Sequence, residues 1–375
     1  MTALPLPGPL TRTARAGSLT GSLTDGVAWR TRARRVAEAA LTPMVPADVL
    51  DMVAPLRAGA DLRARVVAVE PETLRAATLV LRPGRDWAGH TPGQYLRLGV
   101  DVDGVRHWRA YSLTHGPRTD GLISVTVQAI EDGVVSNHLV RGLRPGDLLH
   151  LDQAAGDFTA PDPATPVLFV TAGSGITPVM GMLRHHRYAD AVLVHSALTA
   201  EDVVFGAELR VRAARGEFRL VEFHTDRDGM LDVADLATLV PDLAARTTYA
   251  CGPVGLLDAL EAHHGDAGLP LHTERFRPSV VVTGEGGTLA LARTATPALL
   301  EADGATPLLD VAEQAGVLMP SGCRMGICFG CVLPLVDGAV RDLRTGEVTT
   351  ADPMTGAVPV QTCISAAAGP CTLDH

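Results

Sequence analysis

The chain has 375 residues, of which 46% are hydrophobic and 20% charged, and its formal net charge is −10. That length predicts two or three folded domains, and the composition excludes a disordered protein. The longest apolar run, residues 166–170, is far shorter than the ~20 residues of a membrane helix, and the N-terminus lacks the apolar core of a secretory signal. We therefore expect a cytoplasmic protein that is not membrane-spanning, and the acidic balance argues against nucleic-acid binding.

The first sixty residues predict little compact structure. Residues 1–30 are rich in Pro, Thr, Gly and Ser without any period, which is typical of a mobile tail. Residues 31–60 predict a helical N-terminal extension. It should consist of short helical segments, because Pro43, Pro46 and Pro55 interrupt the helical pattern. We expect this extension to pack on the rest of the protein, with partner docking as the alternative.

Residues 61–162 predict an antiparallel β-barrel. Several short β-rich segments follow one another there, and turn residues separate them. Asp103 and Gly104 stand between two of these segments, which is a strong hairpin signal. Short strands at this spacing are typical of a small barrel.

Residues 163–278 predict a parallel α/β domain. Patterns of buried strands alternate with helical patterns, one of which covers residues 201–214. Strands that alternate with helices form a parallel sheet covered on both faces. The pairs His185–His186 and His263–His264 fall late in predicted helices, where we expect interaction with the helix C-terminus or plain exposure rather than metal binding.

Residues 286–375 predict a third domain of strands and one helix. Thr306 is the expected N-cap of that helix and Pro307 its first residue. From residue 278 onward the chain has ten acidic residues and four arginines, so this quarter carries six of the ten net negative charges. Such a surface favours a basic docking partner, and an ordinary solvated surface is the alternative.

Three cysteines lie within nine residues of the third domain. Cys323, Cys328 and Cys331 have the spacing C-x4-C-x2-C, and Cys363 follows 32 positions later. This spacing resembles that of plant-type [2Fe–2S] ferredoxins, which implies four thiolate ligands to one cluster. Zinc sites more often pair C-x2-C elements, and a disulfide framework fits poorly with an α/β protein that lacks a secretory signal. Cys371 lies off the pattern and is expected to be a small buried residue.

The string "HWRAYSLT" at 107–114 contains R-x-Y-S-L and resembles the flavin-binding signature of the ferredoxin–NADP reductase superfamily. The resemblance implies that Arg109 neutralises a flavin phosphate, Tyr111 lies beside the flavin, and Ser112 places its hydroxyl near flavin N5. The string "DGVVSNHL" matches a second signature that binds the pyrophosphate. Its candidate residues are Gly133, Val134, Val135 and Ser136. The resemblance implies FAD, but FMN stays open because the family's proline is absent from residues 152–158.

The string "TAGSGITP" at 171–178 follows a buried strand and opens a helix, and it resembles the superfamily's nicotinamide-dinucleotide loop. "YACGP" at 249–253 resembles the partner motif. The resemblance implies that Cys251 lies beside the nicotinamide and helps to position it, whereas a plain core cysteine is the alternative. The binding candidates are Thr171, Gly173, Ser174, Gly175, Ile176, Thr177, Cys251, Gly252 and Pro253.

"HTERF" at 272–276 ends the nucleotide domain where the superfamily often supplies an acidic residue and an aromatic near the flavin. Glu274 and Phe276 are therefore candidates, and Glu274 joins Ser112 and Cys251 as the expected catalytic set.

The dinucleotide preference rests on a separate region. Ser196 stands where the superfamily grips the 2′-phosphate of NADPH, but Leu198 replaces the expected arginine. Arg227 is a candidate replacement. NADPH is slightly favoured over NADH.

The domain order resembles that of reductase components of bacterial oxygenases and desaturases. "GCRMGIC" and "VQTCISAAAGPCTLD" resemble actinobacterial reductases of fatty-acid (stearoyl-CoA) desaturases. The resemblance implies a multidomain α/β plus β protein, with an antiparallel flavin-binding β-barrel, a parallel α/β nucleotide-binding domain and a β-grasp ferredoxin-like domain.

The same resemblance implies an activity. NAD(P)H gives a hydride to the flavin, and single electrons pass through the cluster to an oxygenase or a membrane fatty-acid desaturase. A reductase of a ring-hydroxylating dioxygenase or cytochrome P450 is the alternative, and a redox sensor is a further one. We expect a monomer, peripheral to the membrane only through its partner.

Overall fold

The computed structural model describes residues 46–102, 104–131, 133–276, 283–292, 299–322, 324, 326, 329–354 and 356–375. The predicted tail and the first half of the helical extension, through residue 45, lie outside these ranges. The chain forms two compact units that divide after Pro55. In the first unit the described part is one helix, α1 (Pro46–Val53). None of the helices in the described residues has the length and apolar composition needed to cross a lipid bilayer.

The second unit begins with a six-stranded antiparallel sheet in the order β4-β3-β6-β1-β2-β5. The two edge strands meet where Leu113 bridges Val125 and the amide of Thr114 donates to the carbonyl of Ser124 at 2.9 Å. This contact closes the sheet into the predicted barrel, which is filled by buried leucine and valine side chains. The strands are β1 (Arg63–Pro71), β2 (Ala76–Pro83), β3 (Tyr95–Val102), β4 (Val105–Ser112), β5 (Ile123–Gln128) and β6 (Leu148–Leu151).

Two turns of this barrel bear on the site. Val102 pairs with Val105 and Gly104 has φ +81°, so the chain reverses at the predicted Asp-Gly turn, although Asp103 itself lies outside the described residues. Between β5 and β6 a short helix, α2 (Val134–Asn137), continues into a single π-helical turn.

A parallel five-stranded sheet follows, in the order β11-β10-β7-β8-β9, with a hydrophobic core on each face. Because the strands are parallel, their carboxyl ends meet at one edge of the sheet, where α/β proteins bind ligands. The strands are β7 (Val167–Ala172), β8 (Ala191–Ala197), β9 (Arg219–His224), β10 (Thr247–Cys251) and β11 (Leu271–Glu274). The helices are α3 (Ile176–His185), α4 (Gly206–Ala214), α5 (Thr225–Asp228), α6 (Leu236–Leu239) and α7 (Val254–Ala267).

Two sequence expectations for this domain are wrong. The helix predicted over 201–214 starts only at Gly206, because Phe205 buries its ring with φ +61° and so breaks the helical path. His264 lies in the last turn of α7, as expected, but it is not exposed. It is buried, with Nδ1 3.0 Å from the carbonyl oxygen of Leu260 and Nε2 3.0 Å from the hydroxyl of Thr248.

The last part of the chain forms a mixed sheet in the order β13-β12-β17-β14-β15, and β16 also pairs with β14. β12 and β17 are parallel, whereas the other pairs are antiparallel. The strands are β12 (Gly287–Leu291), β13 (Leu299–Ala302), β14 (Val332–Asp342), β15 (Val348–Ala351), β16 (Val358–Gln361) and β17 (Ser365–Leu373), and one helix, α8 (Leu308–Gln314), joins β13 to the cysteine loop.

Helix α8 starts one residue later than the sequence predicts. Pro307 is its N-cap, and the hydroxyl of Thr306 donates instead to the carboxylate of Asp303 at 3.0 Å. Cys371 is buried in the core of this sheet, which confirms its expected structural place.

Candidate functional site

A cavity of about 550 Å³ lies where the barrel, the parallel sheet and the mixed sheet meet. Its size suits a large cofactor, and ligand cavities commonly form at such domain junctions. The barrel supplies Tyr95, Arg109, Ala110, Tyr111, Ser112, Gln128, Ile130 and Gly133 to Ser136, the parallel-sheet domain supplies Glu274 and Phe276, and the mixed-sheet domain supplies Pro307, Asp310, Arg324 and Cys363.

The end of β4 brings the three predicted flavin residues to this cavity. A terminal nitrogen of Arg109 donates to the carbonyl of Trp108 at 2.9 Å, and burial lowers the pKa of its guanidinium from the usual value. Burial raises the pKa of the Tyr111 hydroxyl, which therefore stays neutral. The Ser112 hydroxyl is buried and has no hydrogen-bond partner in the described part of the chain. A polar atom left in this way on a cavity wall fits a ligand that supplies the missing partner.

The turn before α2 forms another wall. A Cβ atom at Gly133 would lie 2.5 Å from the Ser136 hydroxyl and 2.5 Å from the Ile130 side chain, so a larger residue would have to displace both groups. The Ser136 hydroxyl accepts from the amide of Ile130 at 3.2 Å and fixes the turn. Val135 is buried in the barrel whereas Val134 is exposed, which leaves the turn's backbone beside the cavity.

A second cavity, of about 290 Å³, lies at the carboxyl ends of β7 and β10. A Cβ atom at Gly175 would lie 2.1 Å from the carbonyl oxygen of Cys251, so the two predicted dinucleotide motifs touch at this point. The residues that line it include Gly173, Ser174, Gly175, Gly252, Pro253 and Phe276.

Three other predicted dinucleotide residues are buried around the loop of residues 173–175 and hold it in place. Thr171 is fully buried and its hydroxyl lies 2.8 Å from Nδ1 of His195, whose pKa burial lowers to about 4. The Thr177 hydroxyl donates to the carbonyl of Ser174 at 2.9 Å, and Ile176 is buried in the core. Ser196 is buried at the end of β8, away from the two cavities.

Cys251 and Glu274 face each other across neighbouring strands, because β10 and β11 pair them in register. Burial, and then the carboxylate of Glu274, raise the pKa of the Cys251 thiol well above its usual value, so the thiol stays protonated. Burial raises the pKa of Glu274 to about 8, and its Oε2 has no hydrogen-bond partner in the ranges that the structure covers. Glu274 lines the larger cavity, and Phe276 lines both.

Two of the four predicted cluster ligands come together. The sulfur atoms of Cys331 and Cys363 are 3.1 Å apart, too far for a disulfide, and both residues are buried. The hydroxyl of Thr362 donates to the carbonyl of Cys331 at 2.9 Å and holds the two segments together. Cys323 and Cys328 lie outside the described residues. Cys363 also lines the larger of these two cavities, so a predicted cluster ligand shares a cavity with the predicted flavin residues.

No motif in the sequence predicts that Pro307, Asp310 and Arg324 line the cavity of the predicted flavin residues. Arg324 donates to the carboxylate of Asp310 at 2.9 Å and to Glu313, and it has φ +59°. The only available signal was that Arg324 directly follows a predicted cluster ligand. Arg324 and Arg109 line the same cavity because two domains pack together there, and no local pattern encodes that packing.

A test of the close approach between the two dinucleotide motifs is Gly175→Ala. The added Cβ would meet backbone, so we expect the free energy of unfolding to fall by about 1–3 kcal/mol and flavin reduction by NADPH to slow. Urea unfolding and stopped-flow absorbance measure the two effects. Gly255→Ala is the control, because a Cβ at this α7 position meets nothing within 4 Å. Equal losses in both variants would show that the close approach is not the cause.

Two known domain families match the chain: residues 71–159 match the oxidoreductase FAD-binding domain, and residues 296–368 match the 2Fe-2S iron-sulfur cluster binding domain. The first match favours FAD over FMN, and the second supports the cluster reading of the cysteine spacing.

Similar proteins cover most of the chain. It is 46% identical over 354 residues to the NADPH oxidoreductase of Mycobacterium tuberculosis strain H37Rv, and the match covers 91% of each protein. It is 31% identical over 310 residues to the ferredoxin reductase component of the 3-ketosteroid-9-alpha-monooxygenase of Mycolicibacterium smegmatis, covering 74% of this chain and 87% of that protein. The structure of phthalate dioxygenase reductase has the same fold, with a TM-score of 0.57 at 23% identity, over 84% of this chain and 97% of the other. The chain therefore belongs to the FAD-dependent oxidoreductases that carry a C-terminal [2Fe–2S] domain, within the ferredoxin–NADP reductase superfamily.

Proposed function

We propose that this chain is the reductase component of a terminal oxygenase, and that it passes electrons from NADPH through FAD and the [2Fe–2S] cluster. The observation that carries the proposal is the shared cavity. Ser112 from the flavin strand, Glu274 from the nucleotide domain and Cys363 from the cluster domain line one space. Cofactors held by these three walls are close enough to exchange electrons without leaving the protein.

The FAD supplies the redox chemistry when it is bound: it accepts a hydride from NADPH and releases two electrons singly, so that each turnover yields NADP⁺, one proton and two electrons. The chain's own residues bind and orient the cofactors. Arg109 neutralises a phosphate of the flavin, and the turn from Gly133 to Ser136 offers backbone amides to it. Tyr111 stays neutral beside the ring, and the buried Ser112 hydroxyl gains a partner there.

The nicotinamide end of NADPH belongs in the second cavity. Gly173 and Gly175 let the dinucleotide approach the backbone, and Gly252 and Pro253 form the opposite wall. Cys251 acts through its position, because its buried neutral thiol is no nucleophile. Phe276 lines both cavities and therefore lies between the proposed flavin and nicotinamide sites.

NADPH is the proposed donor. The relative with 46% identity is named an NADPH oxidoreductase, and Ser196 is the second-last residue of β8, where the superfamily resemblance places the 2′-phosphate. Arg227 is an exposed cation near this end of the sheet, and it forms an ion pair with Asp228 at 2.8 Å. The 2′-phosphate has to compete with that carboxylate, so Arg227 adds little to the preference.

The acceptor proposed first is an oxygenase, since the relative from Mycolicibacterium smegmatis is named the reductase of a monooxygenase. A membrane fatty-acid desaturase is the second candidate, favoured by the strings around Cys323 and Cys363. We propose that the protein works as a monomer and meets the membrane only through such a partner. The proposed domains are 61–162 for flavin, 163–278 for the nucleotide and 286–375 for the cluster.

The test is a purified holoprotein with its absorption spectrum, its iron and flavin contents, and anaerobic titrations with NADPH and NADH. We expect one FAD and two iron atoms per chain, reduction at lower concentrations of NADPH than of NADH, and rapid turnover with cytochrome c. Absence of flavin and iron would contradict the proposal. Reduction by NADPH without turnover would favour the redox sensor instead.

A further inference from the structure

Helix α3 lies unusually close to the flavin barrel. A Cβ atom at Gly181 would be 2.4 Å from the carbonyl oxygen of Leu113, and one at Gly93 would be 2.5 Å from the terminal carbon of Met182. Glycine on both sides lets the helix backbone touch the barrel. α3 begins directly after the dinucleotide loop, and Leu113 directly follows the flavin residue Ser112. The contact therefore joins the supports of the two predicted cofactor sites.

Arg184, one turn further along α3, reinforces this contact. One of its terminal nitrogens donates to the carbonyl oxygen of Thr114 at 3.1 Å, while the rest of the guanidinium forks onto the carboxylate of Glu208. The guanidinium also lies 4.6 Å from the ring centroid of Phe205. A planar guanidinium with contacts to Thr114, Glu208 and Phe205 has little freedom to move. A lysine could not make all three contacts.

We propose that Arg184 is a positioning residue: it fixes the separation between the flavin strand and the dinucleotide loop without touching either cofactor. Thr114 is two residues after Ser112 on the barrel side, and α3 carries the loop from Gly173 to Gly175 on the other side. Any loosening of the Arg184 bond lets the two supports drift apart. Hydride transfer needs donor and acceptor at a defined distance, and a displacement near 1 Å costs on the order of 100-fold in rate. The inference rests on the proposed function.

The test compares Arg184→Gln with Arg212→Gln in the holoprotein. Arg212 is the matched control, because it joins the same ion-pair network through Glu208 and Glu217 but contacts only the nucleotide domain. Stopped-flow absorbance under anaerobic conditions gives the maximal rate of flavin reduction and the NADPH concentration for half of that rate. We expect Arg184→Gln to lower the maximal rate at least tenfold and to leave the half-saturating concentration within about twofold. Arg212→Gln should leave the rate within about twofold.

Two further variants distinguish the loss of the Arg184 positioning contact from general structural damage. Arg184→Lys keeps one donor for Thr114 and should recover part of the lost rate. Gly181→Ala removes no charge, but its Cβ pushes α3 from the barrel, so it should slow flavin reduction as Arg184→Gln does. A variant with both changes should lose about as much rate as the slower single variant, and much less than the product of the two single losses, because both changes act on one contact.

Hydrogen exchange gives a readout that does not depend on activity. In the holoprotein without NADPH, we expect faster amide exchange at Leu113 and Thr114 on the barrel side in Arg184→Gln, but not in Arg212→Gln, because Arg212 bonds only to the α3 side of the contact, at Leu183. Equal rates of flavin reduction in both glutamine variants, or unchanged exchange at these amides, would overturn the inference. If the unmodified protein is not reduced by NADPH at all, the proposed function fails; if it is reduced and Arg184→Gln matches it, only this inference fails.

Discussion

Cys363→Ser should lose most of its iron and nearly all electron delivery to cytochrome c, while NADPH still reduces the flavin. The sulfur of Cys363 lies 3.1 Å from that of Cys331, and serine is a much poorer ligand for iron than a thiolate. Even second-sphere changes weaken metal binding 10- to 100-fold, so loss of a ligand should lower cytochrome c turnover by at least about 100-fold. Iron content, the visible spectrum and steady-state turnover measure the effect, and stopped-flow bleaching of the flavin measures the retained step.

Cys371→Ser is the matched control in the same domain. Cys371 is as buried as Cys363, and burial raises the pKa of its thiol to about 11, so it is a neutral core side chain. The serine variant should keep its iron and its turnover with cytochrome c, at a modest loss of stability. If Cys371→Ser also lost its iron, or if Cys363→Ser kept it, the assignment of Cys363 as a ligand would be wrong.

The second large effect is a pH dependence set by Glu274. Burial raises the pKa of this carboxyl to about 8, so it is neutral in the folded protein at pH 7. Above pH 8 it adds a negative charge to the cavity wall, and that charge opposes transfer of a hydride to the flavin. The maximal rate of flavin reduction should therefore fall above pH 8, by up to about tenfold per pH unit. Glu274→Gln should abolish this fall, which stopped-flow measurements from pH 6 to 9.5 can check.

The free energy of unfolding should also depend on pH because of Glu274, and the direction of that dependence is fixed. Between the usual carboxyl pKa of 4.5 and the folded value of about 8, the folded protein keeps a proton that the unfolded chain has lost. The free energy of unfolding then falls by about 1.4 kcal/mol per pH unit as the pH rises through this window. Glu274→Gln removes that slope, so the variant should be the more stable protein at pH 8 but not at pH 4.5.

Glu261→Gln is the control for both measurements. Glu261 lies on α7 with its carboxylate on the surface, paired with Arg275 at 2.8 Å. Its replacement should leave the pH profiles of rate and stability unchanged. An unchanged fall in rate above pH 8 in Glu274→Gln would show that another group is responsible.

The sequence predicted the parts of the molecule that depend on local patterns. The spacing of Cys323, Cys328, Cys331 and Cys363 indicated a [2Fe–2S] domain, and a matching domain family covers it. Short β-rich segments separated by turn residues predicted the antiparallel barrel, and alternating strands and helices predicted the parallel sheet. R-x-Y-S placed Arg109, Tyr111 and Ser112 on one strand, and the structure brings all three to one cavity.

Features that depend on contacts between distant segments were missed. Asp310 and Arg324 reach the flavin cavity only because the mixed sheet packs against the barrel. In the sequence, Arg184 looks like an ordinary residue of a helix, although it donates a hydrogen bond to Thr114, 70 positions earlier in the chain. His264 looked like a surface residue at a helix end, but its contact with Thr248 needs the neighbouring strand. Such contacts leave no period or spacing in a single sequence.

The place of Cys363 on the flavin cavity has a kinetic consequence. One residue is at once a proposed ligand of the cluster and a lining group of the cavity that we assign to FAD. No part of the chain then has to travel between the two cofactors, and the internal electron transfer is a unimolecular event across a fixed gap. Its rate is independent of dilution, whereas the encounters with NADPH and with the acceptor depend on concentration and on ionic strength.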